Sequence, residues 1–203
     1  FLVILIASYV RGVPLFRRDG TLGAGLVMGT VFAFEFVVIF FGLMYTTASR
    51  AVIFMYTAPF FVAFGAVNLL GERLRTEQWA GLALAFLGIV IAIGVPQADV
   101  DANVLFGDLL LILGALGWGG TTLIFKMSNL SKAPPEKTLI YQTAISAPIL
   151  AFGSIITGEA LTKMPSPVAL ASLTYQTVWV VGVTFLLWYV LMKTYAASKL
   201  TAF

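Results

Sequence analysis

The amino-acid sequence predicts an all-α, polytopic integral membrane protein, and three observations carry that prediction. Apolar runs of about 20 residues recur along the chain, each long enough to cross a bilayer as a helix. Hydrophobic residues make up 60% of the chain and charged residues 10%, with a mean hydropathy of +1.00, whereas a soluble domain carries about 25% charged residues. The few basic residues gather in every second connection between runs. A chain this apolar cannot cover a water-facing surface with polar groups, so its solvent is lipid.

The elements follow in order. Phe1 to Val10 reads as the tail of a helix, closed by a loop carrying Arg11, Pro14, Arg17, Arg18 and Asp19. Leu22 to Met44 is the first whole span, about 34 Å long at ~1.5 Å per residue. Spans at Ala51 to Leu70 and Trp79 to Val95 come next, then a polar connection from Pro96 to Asn103 with Asp99 and Asp101. Leu105 to Phe125, Leu139 to Ile156 and Ala169 to Met192 complete the set of six spans. The chain opens on Phe1 inside one apolar segment and stops at Phe203 as another begins, so it reads as a piece of a longer protein.

Charge supplies an orientation. With sides alternating at each span, one side collects Arg11, Arg17, Arg18, Arg73, Arg75, Lys126, Lys132, Lys137, Lys193 and Lys199, ten of the 12 basic residues. The other side holds Arg50 and Lys163 together with Asp99, Asp101, Asp108 and Glu159. Basic residues in short loops favour the cytoplasmic side, which places the first group inside the cell and the protein in the inner (plasma) membrane. A missed span would scramble this split.

Several helix ends are legible. Gly71 follows Leu70 and suits a left-handed turn, Thr76 can cap the next helix, and Glu77 falls in its first turn. Gly25-x-x-x-Gly29 predicts close helix packing. At an offset of 149 residues, Ala48-Ser49-Arg50 with Phe54 is echoed by Ala197-Ser198-Lys199 with Phe203. Five spans separate the copies, an odd number, so they face opposite sides, as in inverted-topology transporters.

The composition excludes several chemistries. The chain has no cysteine and no histidine, which removes thiol catalysis, Cys/His metal sites and histidine relays. No catalytic residue, metal site or cofactor is expected, and no basic run is long enough for nucleic acid. The expected partners are the lipid bilayer and a small-molecule substrate, with protons as a candidate coupling ion. A membrane-embedded enzyme is a remote alternative, because no nucleophile stands with a base.

The candidate pathway residues lie inside the spans. Glu35 sits near the middle of Leu22–Met44, where an ionised acid costs several kcal/mol. It therefore carries a proton, lines an aqueous cavity, or pairs with a residue elsewhere; the bland reading is a buried neutral acid bonded to a neighbouring helix. Pro59 removes a helix hydrogen bond mid-span, either as a static kink or as the break in a moving helix, and Tyr56 shares its face. Trp118, set among Gly114, Gly117, Gly119 and Gly120, either stacks on a substrate or fills the space the glycines leave. Tyr141, Gln142, Thr184 and Trp188 are further cavity candidates. Thr184 is the repeat equivalent of Glu35.

One stretch carries a family resemblance. Ala51, Tyr56-Thr57-Ala58-Pro59, Gly71-Glu72-Arg73-Leu74, Gln78, Gly81 and Gly88 together resemble the EamA-type transporters of the drug/metabolite transporter (DMT) superfamily. Gly107-Asp108 leading to Trp118, and Tyr195-Ala196-Ala197-Ser198-Lys199, agree with it in the second half. The resemblance implies a ten-helix fold of two inverted five-helix repeats with both termini cytoplasmic. Residues 1–97 would hold the end of helix 2 and helices 3 to 5, and residues 98–203 helices 6 to 8 and the start of helix 9. It further implies export of small metabolites, such as amino acids, nucleosides or drugs, through a cavity lined partly by helices 3, 4, 8 and 9. Glu35 is not a signature of that family. Gly71, Glu72 and Arg73 form its structural turn, in which a local salt bridge of Glu72 with Arg73 or Arg75 is the simplest role for the acid.

Overall fold

A computed structural model describes residues 1–94, 101–158 and 164–200. The calls on Asp99, Glu159, Lys163 and Phe203 lie outside the described residues. The helices are α1 (Leu2–Val10), α2 (Leu22–Tyr45), α3 (Ala48–Met55), α4 (Ala58–Leu69), α5 (Thr76–Ile93), α6 (Ala102–Met127), α7 (Pro135–Ile156), α8 (Pro167–Tyr175), α9 (Leu186–Thr194) and α10 (Ala197–Leu200). A 3₁₀ turn, Asn129–Lys132, precedes α7, and a π-helical stretch, Gln176–Phe185, joins α8 to α9. Among the described residues, six helical segments are long and apolar enough to cross a membrane: Leu22–Tyr45, Ala48–Leu69, Thr76–Ile93, Ala102–Met127, Pro135–Ile156 and Pro167–Thr194. They coincide with the six expected spans, with ends differing by a few residues.

The surface is apolar and the interior carries the polar groups. Leu26, Phe34, Leu84, Ile91, Phe152 and Ile155 are exposed, whereas Glu35, Asp108, Thr122, Gln142 and Ser146 are buried. That distribution is what lipid selects, since backbone and side-chain polar groups must find partners inside the protein.

The helices form two compact units, each drawn from separate stretches of chain. Phe1–Ala33 with Ser128–Thr194 forms one, and Phe34–Met127 with Tyr195–Phe203 forms the other. In the first, α7 packs on α1 and α9. The first half of α2 meets α7 through glycines: a Cβ on Gly25 would lie 2.5 Å from the Tyr141 ring, and one on Gly29 would lie 2.6 Å from Ile145 Cδ1 and 2.8 Å from the Tyr141 carbonyl oxygen. The expected Gly-x-x-x-Gly contact is thus a backbone-level approach. Gly29→Ala is expected to lower stability by about 1–3 kcal/mol, the usual cost of overpacking where backbone must shift. Gly23→Ala, whose Cβ meets nothing within 4 Å among the described residues, is the matched control, and thermal unfolding in detergent compares the two.

In the second unit, α6 is packed against α4 and α3, and α5 against α3. Glu35, Ile39 and Gly42 lie on one face of α2 at helical spacing and meet Gly117, Gly114 and Gly107 of α6 in reverse order. A Cβ on Gly107 would stand 2.9 Å from the Gly42 carbonyl oxygen. On the other side of α6, Gly119 faces Phe61 and Val62 of α4, and Gly65 of α4 faces Leu123. Glycine therefore lets α6 seat closely between two neighbours.

The proline span is interrupted more fully than a kink. α3 ends at Met55, Tyr56 and Thr57 form a turn, and Pro59 sits in the first turn of α4. Proline is well tolerated there, because a first-turn N–H has no helical acceptor. The Thr57 hydroxyl donates to the Phe54 carbonyl at 2.6 Å, stabilising the break. At the far end Gly71 adopts φ +68°, the left-handed turn expected of it. The next helix is capped one residue earlier than expected: Arg75 is the N-cap, and its N–H donates to Gln78 Oε1 at 2.8 Å.

Candidate functional site

The second unit holds Glu35, Tyr56, Pro59 and Trp118, and of these Glu35 packs on the glycine run of α6, in which Trp118 lies. Glu35 is 5% exposed, its Cβ stands 3.0 Å from where a Gly117 Cβ would be, and its Oε2 has no hydrogen-bond partner among the described residues. Gly117 touches Glu35 while Gly119, two residues on, touches α4 just after Pro59. The acid and the broken helix thus flank the same short segment of α6. Trp118 lies between those glycines and is 44% exposed, and Tyr56 at the break is 51% exposed. Both are free to present a ring to whatever lies beside them.

The candidates in the first unit are more heavily engaged. Gln142 is 1% exposed and its Oε1 accepts the Tyr189 hydroxyl at 2.6 Å. Tyr189 was not singled out by sequence; the signal was Gln142 itself, since a buried amide in an apolar span demands a polar partner. Tyr141 packs on Gly25 and its hydroxyl lies 3.3 Å from Thr21 Oγ1. Thr184 is exposed within the π-helical stretch, and its hydroxyl donates to the Trp179 carbonyl five residues back at 3.3 Å. Trp188 is half-buried.

Two acidic residues hold helix starts. Asp108 accepts Arg50 Nε at 3.1 and 3.2 Å, one to each oxygen, together with Arg50 Nη2 and the Thr46 hydroxyl at 2.9 Å. The Arg50 guanidinium also stands 5.8 Å from the centre of the Phe54 ring. Glu72 has a partner different from the one expected. Its carboxylate accepts the backbone N–H groups of Ala197 at 3.0 Å and Ser198 at 3.3 Å, with the Ser198 hydroxyl as a third donor. Arg75 pairs with Glu77 at 3.3 Å, and Arg73 is exposed. The two echoed triplets, Ala48-Ser49-Arg50 and Ala197-Ser198-Lys199, therefore each open a helix that an acidic side chain from another helix region grips.

In the first turn of α7, Lys137 Nζ donates to both Asp19 oxygens at 2.8 and 2.9 Å and to the Arg17 carbonyl at 2.7 Å. The lysine, followed by Thr21, holds the Asp19 carboxyl at about 2, well below the usual carboxylate range. Asp19 is therefore ionised throughout the neutral range, and the loop it anchors stays tied to α7.

Comparison with known proteins agrees with this architecture. The model of the EamA-like transporter family matches residues 1–94. Uncharacterized transporter YoaV of Bacillus subtilis is 24% identical over 167 residues, 78% of this chain and 54% of its own. A probable amino-acid metabolite efflux pump of Escherichia coli is 30% identical over 173 residues, 83% of this chain and 56% of its own. The chain thus spans about half the length of these curated relatives. A solved crystal structure shares the fold with a TM-score of 0.81 at 22% identity, covering 99% of this chain and 68% of its own. The relatives are transporters, not enzymes. The stretch 1–94, with its proline-broken helix and its Gly71-Glu72-Arg73-Leu74 turn, matches the EamA-like transporter family, and the similarity to described transporters extends along most of the chain.

Proposed function

We propose that the protein is part of a secondary transporter that exports small metabolites, amino acids or related amphipathic compounds, across the cytoplasmic membrane by alternating access. The carrying observation is Glu35 of α2, a buried acid with an unpartnered oxygen, packed on one side of the α6 glycine segment whose other side carries the helix that follows the break at Tyr56–Thr57. A discontinuous helix frees backbone groups and supplies a hinge, and a protonatable acid beside it can couple a proton to movement. The name of the Escherichia coli relative supports the substrate class. The distribution of basic residues supports an inward-facing Arg11–Asp19 loop in the inner membrane. The exposed Trp118 and Tyr56 rings favour a second reading, a multidrug or nucleoside exporter, because flat aromatic or cationic compounds stack on such faces.

The test is transport by the intact protein in proteoliposomes with an imposed pH gradient, screened over amino acids, nucleosides and cationic dyes. Gradient-dependent movement of an amino acid is the expected result. Movement of nucleosides or dyes alone would replace the first reading with the second, and no movement of any class would overturn both.

A further inference from the structure

The loop before α2 and the turn before α7 form a half-open cavity of about 530 Å³ in the first unit, lined by Arg17, Arg18, Asp19, Asn129, Lys132 and Lys193 among others. That volume lies within the range of small-ligand sites, about 300–1,000 Å³. Four of these side chains are cations. The lining carboxylate, Asp19, is already engaged by Lys137, and among the described residues none of the four cations has a carboxylate partner. A bias of positive charge toward one side of a membrane is common to such proteins and does not of itself make a site. Two features go beyond that bias here.

The first is that the cavity wall is built. Lys137 is buried, with its side chain 4% exposed, and it ties the loop at Arg17 and Asp19. Gly20 takes φ +73°, the left-handed turn that lets the loop double back into α2. Lys193 is oriented across the cavity by donating to the Ala133 carbonyl at 2.9 Å, which leaves other ammonium hydrogens to give. The second feature is Phe16, adjacent to the two arginines and 92% exposed. An apolar ring this exposed is favoured in lipid over water, so the loop places Arg17 and Arg18 beside the leaflet surface.

We propose that this cavity binds an anionic phosphodiester head group, supplied by a lipid of the adjacent leaflet. Arginine forks match phosphate oxygens bidentately, and lysines add point charge. Basic pockets on the cytoplasmic side of helical membrane proteins are suited to such head groups. The site is separate from the transport reading, apart from the charge alternation that assigns the side, and it stands or falls on lipid binding alone.

Native mass spectrometry of the intact protein in detergent, with phosphatidylglycerol and phosphatidylcholine of identical acyl chains, tests it. Phosphatidylglycerol is expected to bind at least tenfold more tightly, and Arg18→Gln with Lys132→Gln to remove that preference. The charge-keeping pair Arg18→Lys with Lys132→Arg is expected to retain it, which separates lost charge from lost folding. Arg73→Gln with Lys199→Gln, basic residues that do not line the cavity, should leave the preference intact. Equal binding of the two lipids, or an equal loss in the Arg73/Lys199 pair, would overturn the proposal. Free glycerol 3-phosphate is the final arm: failure to compete supports the lipid source, and displacement of lipid at equal concentration would overturn that source in favour of a soluble phosphate.

Discussion

Asp108→Ala is expected to destabilise the protein by about 3 kcal/mol, the lower end of the range for breaking a buried ion pair. The side chains of Arg50 and Asp108 are 11% and 6% exposed, so the guanidinium loses a bidentate carboxylate without gaining full hydration. The lower end applies because Arg50 lies in the first turn of α3, where interfacial water is within reach of a long side chain. Thr46 loses its acceptor as well. The effect belongs to the loss of the carboxylate by a guanidinium that stays mostly buried, more than to the pair's net worth. Replacing both partners, Arg50→Met with Asp108→Leu, should therefore cost less than Asp108→Ala alone. Unfolding in mixed micelles measures all three variants and the wild type. A double variant as unstable as the single one would show that the residues support the α3–α6 contact independently.

That pair also marks the boundary of what sequence could reveal. The six spans were legible because lipid imposes length and apolarity on every crossing segment, and Leu22–Tyr45 or Ala102–Met127 cannot be mistaken for anything else. Gly71 and Gly25-x-x-x-Gly29 were legible because each has one physical use, a left-handed turn and a close approach. The polar partnerships were not. Arg50 with Asp108, Gln142 with Tyr189, and Glu72 with Ala197 and Ser198 join residues 47 to 126 positions apart, and helical periodicity carries no information across such gaps. Glu72 shows the bias this creates: local charges at Arg73 and Arg75 were the visible partners, while the helix start that it grips lay at the far end of the chain. Pro59 was expected mid-span, as a static kink or as the break in a moving helix; it opens a new helix instead, and the turn before it depends on Thr57, whose hydroxyl satisfies the Phe54 carbonyl.

Glu35→Gln is expected to abolish uphill, proton-coupled export while leaving the protein folded. The amide has nearly the shape of the acid, so it occupies the same space against Gly117. Oε2 has no hydrogen-bond partner among the described residues, so the substitution breaks no bond at that oxygen and its cost in stability is about 1 kcal/mol or less. What the substitution removes is the ability to take up and release a proton. A coupled carrier without that step can still exchange substrate across the membrane, because the broken α3–α4 helix and its contacts with α6 are untouched, but it cannot draw on a pH gradient. Counterflow should therefore persist in Glu35→Gln vesicles when gradient-driven accumulation has vanished, and Glu35→Asp, which keeps the acid, should retain part of the accumulation. Wild-type accumulation in the Gln variant would identify Glu35 as a neutral packing residue of the α2–α6 interface. Loss of counterflow together with accumulation would place the acid in substrate binding, since a merely coupling proton site leaves exchange intact.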